Sequence, residues 1–281
     1  MELVGQAILL GILQGLTEFI PISSSAHLEL APWLLGWSQQ GLIGSLAFDV
    51  FLHLGTLVAL LVAFGRDWLR LLGALLHSVR ERAIGTDPDR RLAWLLLAAS
   101  IPAAAIGFAL EDVIDTAFHG DATGSRLAIA AFLVLGAIIL WLADRLGRRD
   151  RGLDRLDGLR AVGIGLAQAA ALLPGISRSG ATMAAGMAAG LDREAAARFS
   201  FLLALPITLG AGLYGSRHLL AASHTSLEWL ALGAGLAAAA ASGVIAIGFL
   251  LRWLRTRSML VFSLERVVLA ALVIGLIGAG R

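Results

Sequence analysis

Two short segments of this chain bring together side chains that can act on phosphate groups. The first contains Glu18, a run of serines after Pro21, and His27. The second contains Arg178, which is flanked by serines and preceded by a Pro-Gly pair. Arginine binds phosphate oxygens through a planar fork of donors, and a helix that starts after a break points free N–H groups and its positive dipole end at an anion. The residue types therefore indicate a site for a phosphorylated substrate.

The first segment offers candidates for a nucleophile and for a base. Ser24 and His27 are three positions apart and share a face at the start of a helix, so the histidine can serve as base for the serine. Glu18 can accept a proton or bind a divalent cation that bridges phosphate oxygens. Gln14 lies one turn before Glu18 and is placed to orient it. For Ser23, helix capping alone is the competing interpretation.

The second segment centres on Arg178, because a buried arginine needs an anionic partner. A substrate phosphate would be such a partner. If the two segments meet, their carboxylate, imidazole and guanidinium groups share one pocket with several small polar residues. Those of the second segment are Ser177, Ser179, Gly180 and Thr182.

Three further ionisable residues interrupt apolar stretches elsewhere. His53 is predicted to be a hydrogen-bonded core histidine. Glu265 and Arg266 are adjacent, and we predict a structural ion pair with other helices for them. Ionisable residues within a membrane are expensive, by roughly 2.5–3.5 kcal/mol at mid-depth, and usually functional, so a functional role is the alternative for each.

The elements that position these residues must lie in a membrane. Of the 281 residues, 58% are hydrophobic, only 15% are charged and none is cysteine. Soluble domains carry about 25% charged residues. The composition excludes an ordinary soluble enzyme, a disordered chain, a disulfide scaffold and a cysteine-based metal or redox site. It predicts an all-α integral membrane protein with a single membrane domain over residues 1–281.

Apolar runs locate the membrane-spanning helices. A helix needs roughly 20 apolar residues to cross a bilayer. Six stretches meet or approach this length and predict six transmembrane helices. They cover residues 45–65, 92–110, 126–144, 198–216, 229–251 and 258–280.

Two other apolar regions, residues 3–36 and 160–191, are broken in the middle by proline, glycine and polar residues. Each half is too short to cross a bilayer alone. Breaks of this kind survive at membrane depth only when they are buried in protein or line a wet cavity. Both regions are therefore predicted to be re-entrant helical hairpins, which enter the membrane and turn back.

The arginines test this topology. Seventeen of the 22 arginines lie in four segments, whereas the segment 111–124 has four acidic residues and no arginine. Cytoplasmic loops carry the excess of basic residues. With the four segments inside, the six spans alternate only if both hairpins return to their starting side. Both termini then lie outside, and the first hairpin opens to the outer side. The four segments are 65–91, 144–160, 192–198 and 252–257.

The two hairpins resemble each other at an offset of 154 residues. The run 22–26 aligns with 176–180, and Gln14 falls on Gln168. Each hairpin is followed by three spans, so the two units have opposite orientation. This predicts an inverted-topology repeat with halves at about 1–144 and 155–281. The alternative is that small polar residues simply recur at helix breaks.

Both broken segments resemble a known family. Residues 14–27 (QGLTEFIPISSSAH) look like the first signature of the bacterial undecaprenyl-diphosphate phosphatases, also called bacitracin-resistance proteins. Residues 174–182 (PGISRSGAT) look like the second signature, and residues 199–206 (FSFLLALP) resemble the stretch that follows it. The resemblance covers nearly the whole chain and occurs in the family's order.

The resemblance implies a multi-pass enzyme of the bacterial inner membrane. Family members hydrolyse undecaprenyl diphosphate to undecaprenyl phosphate and inorganic phosphate, with a divalent cation such as Mg²⁺ or Ca²⁺. This recycles the lipid carrier for peptidoglycan synthesis and removes the target of bacitracin. The expected partners are the polyprenyl diphosphate substrate and membrane lipids, with no nucleic acid; a homo-oligomer is left open. The active site is expected to open to the periplasmic side.

By position, the resemblance makes Glu18 the essential carboxylate and metal ligand, Ser24 the nucleophile and His27 its partner. Arg178 would hold the diphosphate, assisted by the hydroxyls beside it. Many family members carry glutamate where this chain has Gln14, which argues against a two-carboxylate metal site here. Direct attack by water, with Ser24 as a binding hydroxyl, is the alternative mechanism.

A transporter or lipid flippase is the alternative function. Inverted repeats and broken helices are typical of secondary transporters, and the same pocket could carry a polyprenyl phosphate without cleaving it. A transporter has no evident need for a serine beside a histidine, so the sequence favours the enzyme.

Overall fold

A computed structural model describes residues 1–37, 41–43, 45–119, 122–221 and 224–280, apart from the side chains of 46–47, 111–119, 122 and 214–221. These residues form ten α-helices. In chain order they are α1 (Glu2–Phe19), α2 (Ser24–Leu35), α3 (Leu46–Glu81), α4 (Pro88–His119), α5 (Ala122–Leu146), α6 (Gly158–Ala169), α7 (Arg178–Ala188), α8 (Arg193–Ala221), α9 (Ser226–Leu254) and α10 (Leu260–Gly278).

Six of these helices are the predicted transmembrane spans. Within the described residues, α3, α4, α5, α8, α9 and α10 are the helices long and apolar enough to cross a membrane. The prediction of an all-helical, multi-pass membrane protein is confirmed. Several helices extend past the predicted ends, as α3 continues beyond its apolar run through Arg66 to Glu81.

Both broken regions consist of two helices, as predicted. Three of the four have 11 or 12 residues, whereas α1 has 18 and is longer than the half predicted for it. The chain breaks between α1 and α2 at residues 20–23, and between α6 and α7 at residues 170–177. The two ends of the first region lie together, because Glu2 and Trp37 line the same surface cavity. The two ends of the second region also lie on one side, at the arginine-rich segments. The Arg91 guanidinium donates to the carbonyl of Leu156 (2.9 Å), and the N–H of Arg151 donates to the carbonyl of Gly190 (3.1 Å).

Hydrogen bonds and ion pairs connect the four arginine-rich segments at one end of the helix bundle. Arg193 pairs with Asp144 at 2.5 Å, which joins the start of α8 to the end of α5. Arg255 and Glu194, 3.2 Å apart, join the end of α9 to α8. Asp144 also accepts from the N–H of Met259, just before α10 (3.0 Å). The acidic side chains at 111, 112, 115 and 121 lie outside the described residues.

Close helix contacts fix α1, which carries the first candidate residues. A Cβ on Gly11 would overlap the carbonyl oxygen of Gly235, and one on Gly15 would overlap that of Ala239, so only glycine allows α1 to lie this close to α9. At the end of α1, the fully buried Phe19 packs edge-on against Phe201 of α8, with ring centroids 5.5 Å apart. These contacts hold the C-terminal end of α1 against the bundle.

Candidate active site

Glu18 lies at the centre of the site, in the last turn of α1 with only 6% of its surface exposed. Its Oε1 accepts a hydrogen bond from Arg178 Nη2 at 2.7 Å, so the two predicted segments meet. Its Oε2 accepts from the Ser24 hydroxyl at 2.5 Å and from the Gln14 amide at 3.2 Å. Gln14 is fully buried and contacts Glu18 from one turn earlier, as its spacing predicts. The Glu18 carboxylate therefore accepts hydrogen bonds from both Ser24 and Arg178.

A cavity of ≈ 240 Å³ opens beside this cluster. Its polar wall includes Glu18, Ser24 and Arg178, whereas hydrocarbon side chains such as Leu172 and Ile207 form another wall. Such a cavity suits a ligand with an anionic head and an apolar tail. The other polar side chains that line it are Ser25, His53, Gln168, Ser177 and Thr208.

Both helices that follow the breaks begin at a serine in a strained conformation. Ser23 precedes α2 with φ 76°, and Ser177 precedes α7 with φ 68°. Residues held in sparsely populated backbone regions cost about 1–3 kcal/mol each and cluster at functional sites. The Ser177 hydroxyl caps α7 by accepting from the N–H of Gly180 at 3.1 Å, whereas the Ser23 side chain makes no such cap bond. Capping thus accounts for Ser177 better than for Ser23.

The remaining residues of the second segment face the protein interior. Ser179 is 1% exposed, and its hydroxyl lies 3.2 Å from that of Ser177. Thr182 Oγ1 donates to the carbonyl of Arg178 at 2.8 Å and lies 2.7 Å from the hydroxyl of Ser200 in α8. These contacts fix the start of α7, so both side chains support the segment that carries Arg178.

His27 lies in the first turn of α2 with Ser24, as the spacing predicts, but its ring contacts other groups. Nδ1 lies 2.8 Å from the carbonyl oxygen of Ser23, and Nε2 lies 3.1 Å from Glu265 Oε1 in α10. The hydrogen bonds of Ser24 and His27 thus go to different partners. The acceptor that the structure gives to the Ser24 hydroxyl is Glu18.

His53 and Gln168 are cavity residues that sequence reasoning did not assign to the site. His53 is hydrogen-bonded as predicted, since its Nδ1 lies 2.7 Å from the carbonyl oxygen of Asp49. Its side chain is 31% exposed and lines the cavity, with Nε2 3.6 Å from Glu18 Oε2, so it is not a core residue. The signal for His53 was its position as the sole ionisable residue of the run 50–65. Gln168 is 4% exposed, and its amide has no hydrogen-bond partner among the described residues. Its alignment with Gln14 was the signal for that residue.

Glu265 and Arg266 both approach the broken segments, which the sequence did not indicate. Glu265 contacts another helix through His27, in line with the predicted structural pairing. Arg266 is fully buried, and its Nε donates to the carbonyl of Pro21 at 2.8 Å rather than to a carboxylate. A Cβ on Gly180 would overlap the guanidinium group. Arg266 thus packs between the two breaks.

The residues around Glu18 do not form a metal cage. Among the described residues, no group of three or more histidine, aspartate and glutamate side chains is placed to hold a metal ion. Glu18 offers a single carboxylate, because its neighbour Gln14 contributes an amide. Mg²⁺ is often bound by one or two carboxylates together with substrate phosphates and water. The site therefore fits only a cation that is shared with a bound phosphate.

Six apolar spans around a buried carboxylate that contacts a half-buried serine and arginine place the chain in the class of multi-pass membrane proteins with an internal polar site. Comparison with known proteins gives its family. The chain belongs to the BacA family, since the model of "Bacitracin resistance protein BacA" matches residues 7–272.

Curated relatives match nearly the full length of the chain. A protein of Pelobacter propionicus named undecaprenyl-diphosphatase is 44% identical over 274 residues, which cover 98% of this chain and 97% of the relative. A Rubrobacter xylanophilus protein of the same name is 44% identical over 272 residues, or 97% of each chain. One from Thermomicrobium roseum is 43% identical over 281 residues, or 99% of each. The resemblance seen in the two signatures is confirmed.

Proposed function

We propose that this protein hydrolyses undecaprenyl diphosphate to undecaprenyl phosphate and inorganic phosphate in the cavity beside Glu18. The observation that carries the proposal is the pair of contacts made by Glu18, at 2.5 Å from the Ser24 hydroxyl and 2.7 Å from Arg178. Family membership and the names of the relatives supply the substrate. Such an activity recycles the lipid carrier for peptidoglycan and leaves bacitracin without its target.

Arg178 and the N-terminus of α7 bind the diphosphate. Arg178 Nη2 is held by Glu18, whereas Nη1 is buried without a partner among the described residues and is available to a phosphate oxygen. The free N–H groups and the positive dipole end of α7 reinforce this attraction. Donors fixed in place before the reaction stabilise the charge that develops on the phosphoryl oxygens.

Ser24 is the nucleophile and Glu18 its base. Ser24 Oγ attacks the terminal phosphorus, its proton passes to Glu18 Oε2, and the bond from that phosphorus to the bridging oxygen breaks. The proton then goes to the departing lipid phosphate. In the second step water attacks the phosphoserine, gives a proton to Glu18 and releases inorganic phosphate, and Glu18 returns that proton to Ser24. In the alternative, water attacks the diphosphate directly and Ser24 binds an oxygen.

A divalent cation, Mg²⁺ or Ca²⁺, belongs to the proposal as a partner of the bound diphosphate. Glu18 is the carboxylate that would hold it, and the phosphate oxygens would complete its coordination. When bound, such an ion supplies positive charge beside the phosphoryl oxygens. Glu18 and the phosphate groups offer oxygen ligands, which hard cations such as Mg²⁺ and Ca²⁺ prefer.

The broken regions are re-entrant hairpins within a single membrane domain, residues 1–281. Three observations support this: both ends of each region lie together, three of the four helices have only 11 or 12 residues, and the breaks meet polar groups in the interior. An inverted repeat, residues 1–144 and 155–281, accounts for the helix packing. Thus α1 packs on α9 as its counterpart α6 packs on α4, and α3 and α5 pack on their own counterparts α8 and α10.

The arginine-rich end of the bundle faces the cytoplasm and the cavity opens to the periplasmic side of the inner membrane. The excess of basic residues on cytoplasmic loops supports this orientation. The protein acts on a lipid substrate within the bilayer, without nucleic acid, and a homo-oligomer is compatible with this arrangement.

Phosphate release in detergent tests the function, because transport cannot occur there. Purified protein with a polyprenyl diphosphate and Mg²⁺ is expected to release phosphate, and a chelator is expected to stop it. Removing Arg178, as in Arg178→Ala, should lower kcat/KM by about 100-fold or more, the range for loss of one group that stabilises transition-state charge. Glu194→Gln, which weakens an ion pair at the arginine-rich end, is the control.

Two outcomes would contradict the proposal. Full activity of Arg178→Ala would show that Arg178 does not act in the site. No release from folded wild-type protein would favour the lipid transporter, which vesicle translocation would then test. A phosphoserine that accumulates on Ser24 in rapidly quenched samples, and is absent from Ser24→Ala, would select the covalent mechanism over direct attack by water.

A further inference from the structure

The contact between Glu265 and His27 joins the last helix of the chain to the first hairpin. Glu265 Oε1 in α10 lies 3.1 Å from His27 Nε2 in α2, across 238 positions of sequence. The other ring nitrogen, Nδ1, lies 2.8 Å from the carbonyl oxygen of Ser23. The imidazole is thus held on both sides, with 14% of the His27 side chain and 35% of the Glu265 side chain exposed.

The partners of the ring determine how many protons the pair holds. A carbonyl oxygen only accepts, so Nδ1 of His27 must carry a hydrogen. A neutral imidazole then has a bare Nε2, which would face a carboxylate oxygen, and two acceptors cannot form a hydrogen bond. The contact therefore requires one more proton, shared between His27 Nε2 and Glu265.

This extra proton makes the pair neutral as a whole. An ionised Glu265 without a cationic partner would be costly within a transmembrane helix. An imidazolium beside it offsets that charge and forms a charge-assisted hydrogen bond, which is stronger than a neutral one. An imidazole is ordinarily a stronger base than a carboxylate, so the shared proton lies on His27.

We propose that Glu265 is a positioning residue that holds His27 as a doubly protonated cation at the start of α2. This inference rests on the proposed function for its consequence in catalysis. His27 lies in the first turn of α2, where Ser24 and Ser25 line the cavity, so its charge adds to the positive helix end that faces the substrate. The imidazolium does not take the proton of Ser24, which hydrogen-bonds to Glu18.

Nitrogen NMR of histidine-labelled protein in detergent at pH 7 tests the protonation directly. The His27 signals are identified as those missing from His27→Asn. Both ring nitrogens are expected to be protonated in the wild-type protein, and one of them is expected to lose its proton in Glu265→Gln, whose amide can donate to Nε2. A neutral His27 ring in the wild-type protein, or an imidazolium that persists in Glu265→Gln, would overturn the proposal. This measurement needs no substrate, so it stands even if the proposed hydrolysis fails.

A double-mutant cycle on phosphate release tests whether Glu265 acts through His27. Glu265→Ala is expected to lower kcat about 10- to 100-fold, the range for losing a partner that orients a functional histidine. In a His27→Ala background the same substitution should cost nothing further. Equal losses in both backgrounds would indicate a general structural role, and wild-type activity of Glu265→Ala would indicate no role; either overturns the proposal. Glu194→Gln is the matched control, because it also removes a carboxylate from an ion pair.

Discussion

Ser23 and Ser177, which lie 154 positions apart, precede α2 and α7 with positive φ angles of 76° and 68° and with ψ angles of 91° and 121°. In each case the serine hydroxyl also lies close to that of the serine two residues later, at 3.3 Å from Ser23 to Ser25 and 3.2 Å from Ser177 to Ser179. These similar helix starts, at the offset of the sequence match, support the proposed inverted repeat over a chance recurrence of small polar residues. The two helix starts differ in the cap bond, which Ser177 forms through its side chain and Ser23 does not.

This difference predicts unequal effects of removing the two hydroxyls. Ser177→Ala is expected to lower the free energy of unfolding by about 1 kcal/mol, because α7 loses its N-cap bond. Ser23→Ala is expected to cost less, because its side chain makes no cap bond. Thermal unfolding of the two variants in the same detergent measures the difference. A larger loss for Ser23→Ala would mean that the contact with Ser25 matters more than the cap.

The sequence predicted the spans and the breaks because both depend on local properties. Apolar runs of sufficient length must be helical in a bilayer. Pro21 and Pro174-Gly175 each stand beside small polar residues, and this combination marks the breaks, whereas Pro32, Pro102 and Pro206 lie inside helices. The ends of the helices were less predictable. The hydrogen-bonded backbone of α3 continues past Arg66, where the apolar run stops, since a helix does not end where its side chains become polar.

The centre of the site was also predictable, whereas contacts from distant spans were not. Two groups of opposite charge that lie beside the breaks of an apolar chain, such as Glu18 and Arg178, must find partners. The contact of His27 with Glu265 depends on how α10 packs against the first hairpin, which no local spacing indicates. The position of His53 beside the cavity could not be predicted either, because it depends on how α1 lies relative to α3.

Substitution of Gly180 tests how Arg266 packs between the two breaks. In Gly180→Ala the new methyl group would overlap Arg266, which is fully buried and cannot move into solvent. We expect a lower melting temperature and a loss of phosphate release, because overpacking costs about 1–3 kcal/mol and would shift α7 with Arg178. Gly163→Ala is the control, since nothing lies within 4 Å of a Cβ there. Matching behaviour of the two variants would contradict the packing seen around Arg266.

Substitution of Gln168 tests whether its buried amide binds the substrate. Gln168→Leu replaces an amide that has no partner among the described residues by an apolar group of similar size. Without substrate the variant is expected to be at least as stable as the wild type, because an unpaired buried polar group costs about 1–3 kcal/mol. With substrate, KM is expected to rise, since the amide no longer donates to the diphosphate. Thermal unfolding and phosphate-release kinetics give both quantities, and an unchanged KM would show that Gln168 does not contact the substrate.

Substitution of Gln14 tests whether the proposed cation binds beside Glu18. The Gln14 amide donates to Glu18 at 3.2 Å, so Gln14→Glu places a second carboxylate against the first. With a chelator the two negative charges repel each other, and the melting temperature is expected to fall below that of the wild type. With Mg²⁺ the temperature is expected to recover, and half-maximal phosphate release should need less Mg²⁺, because a site with more carboxylate charge binds the ion more tightly.

The control for this change is Gln14→Leu, which removes the same hydrogen bond without adding charge. Its melting temperature is expected to fall as well, because Glu18 loses one donor, but Mg²⁺ should not restore it. Restoration by Mg²⁺ in the glutamate variant alone would place the cation beside Glu18. If Mg²⁺ restored neither variant while phosphate release still required the ion, the cation would bind away from this carboxylate, and Glu18 would keep its role as base without a role as ligand.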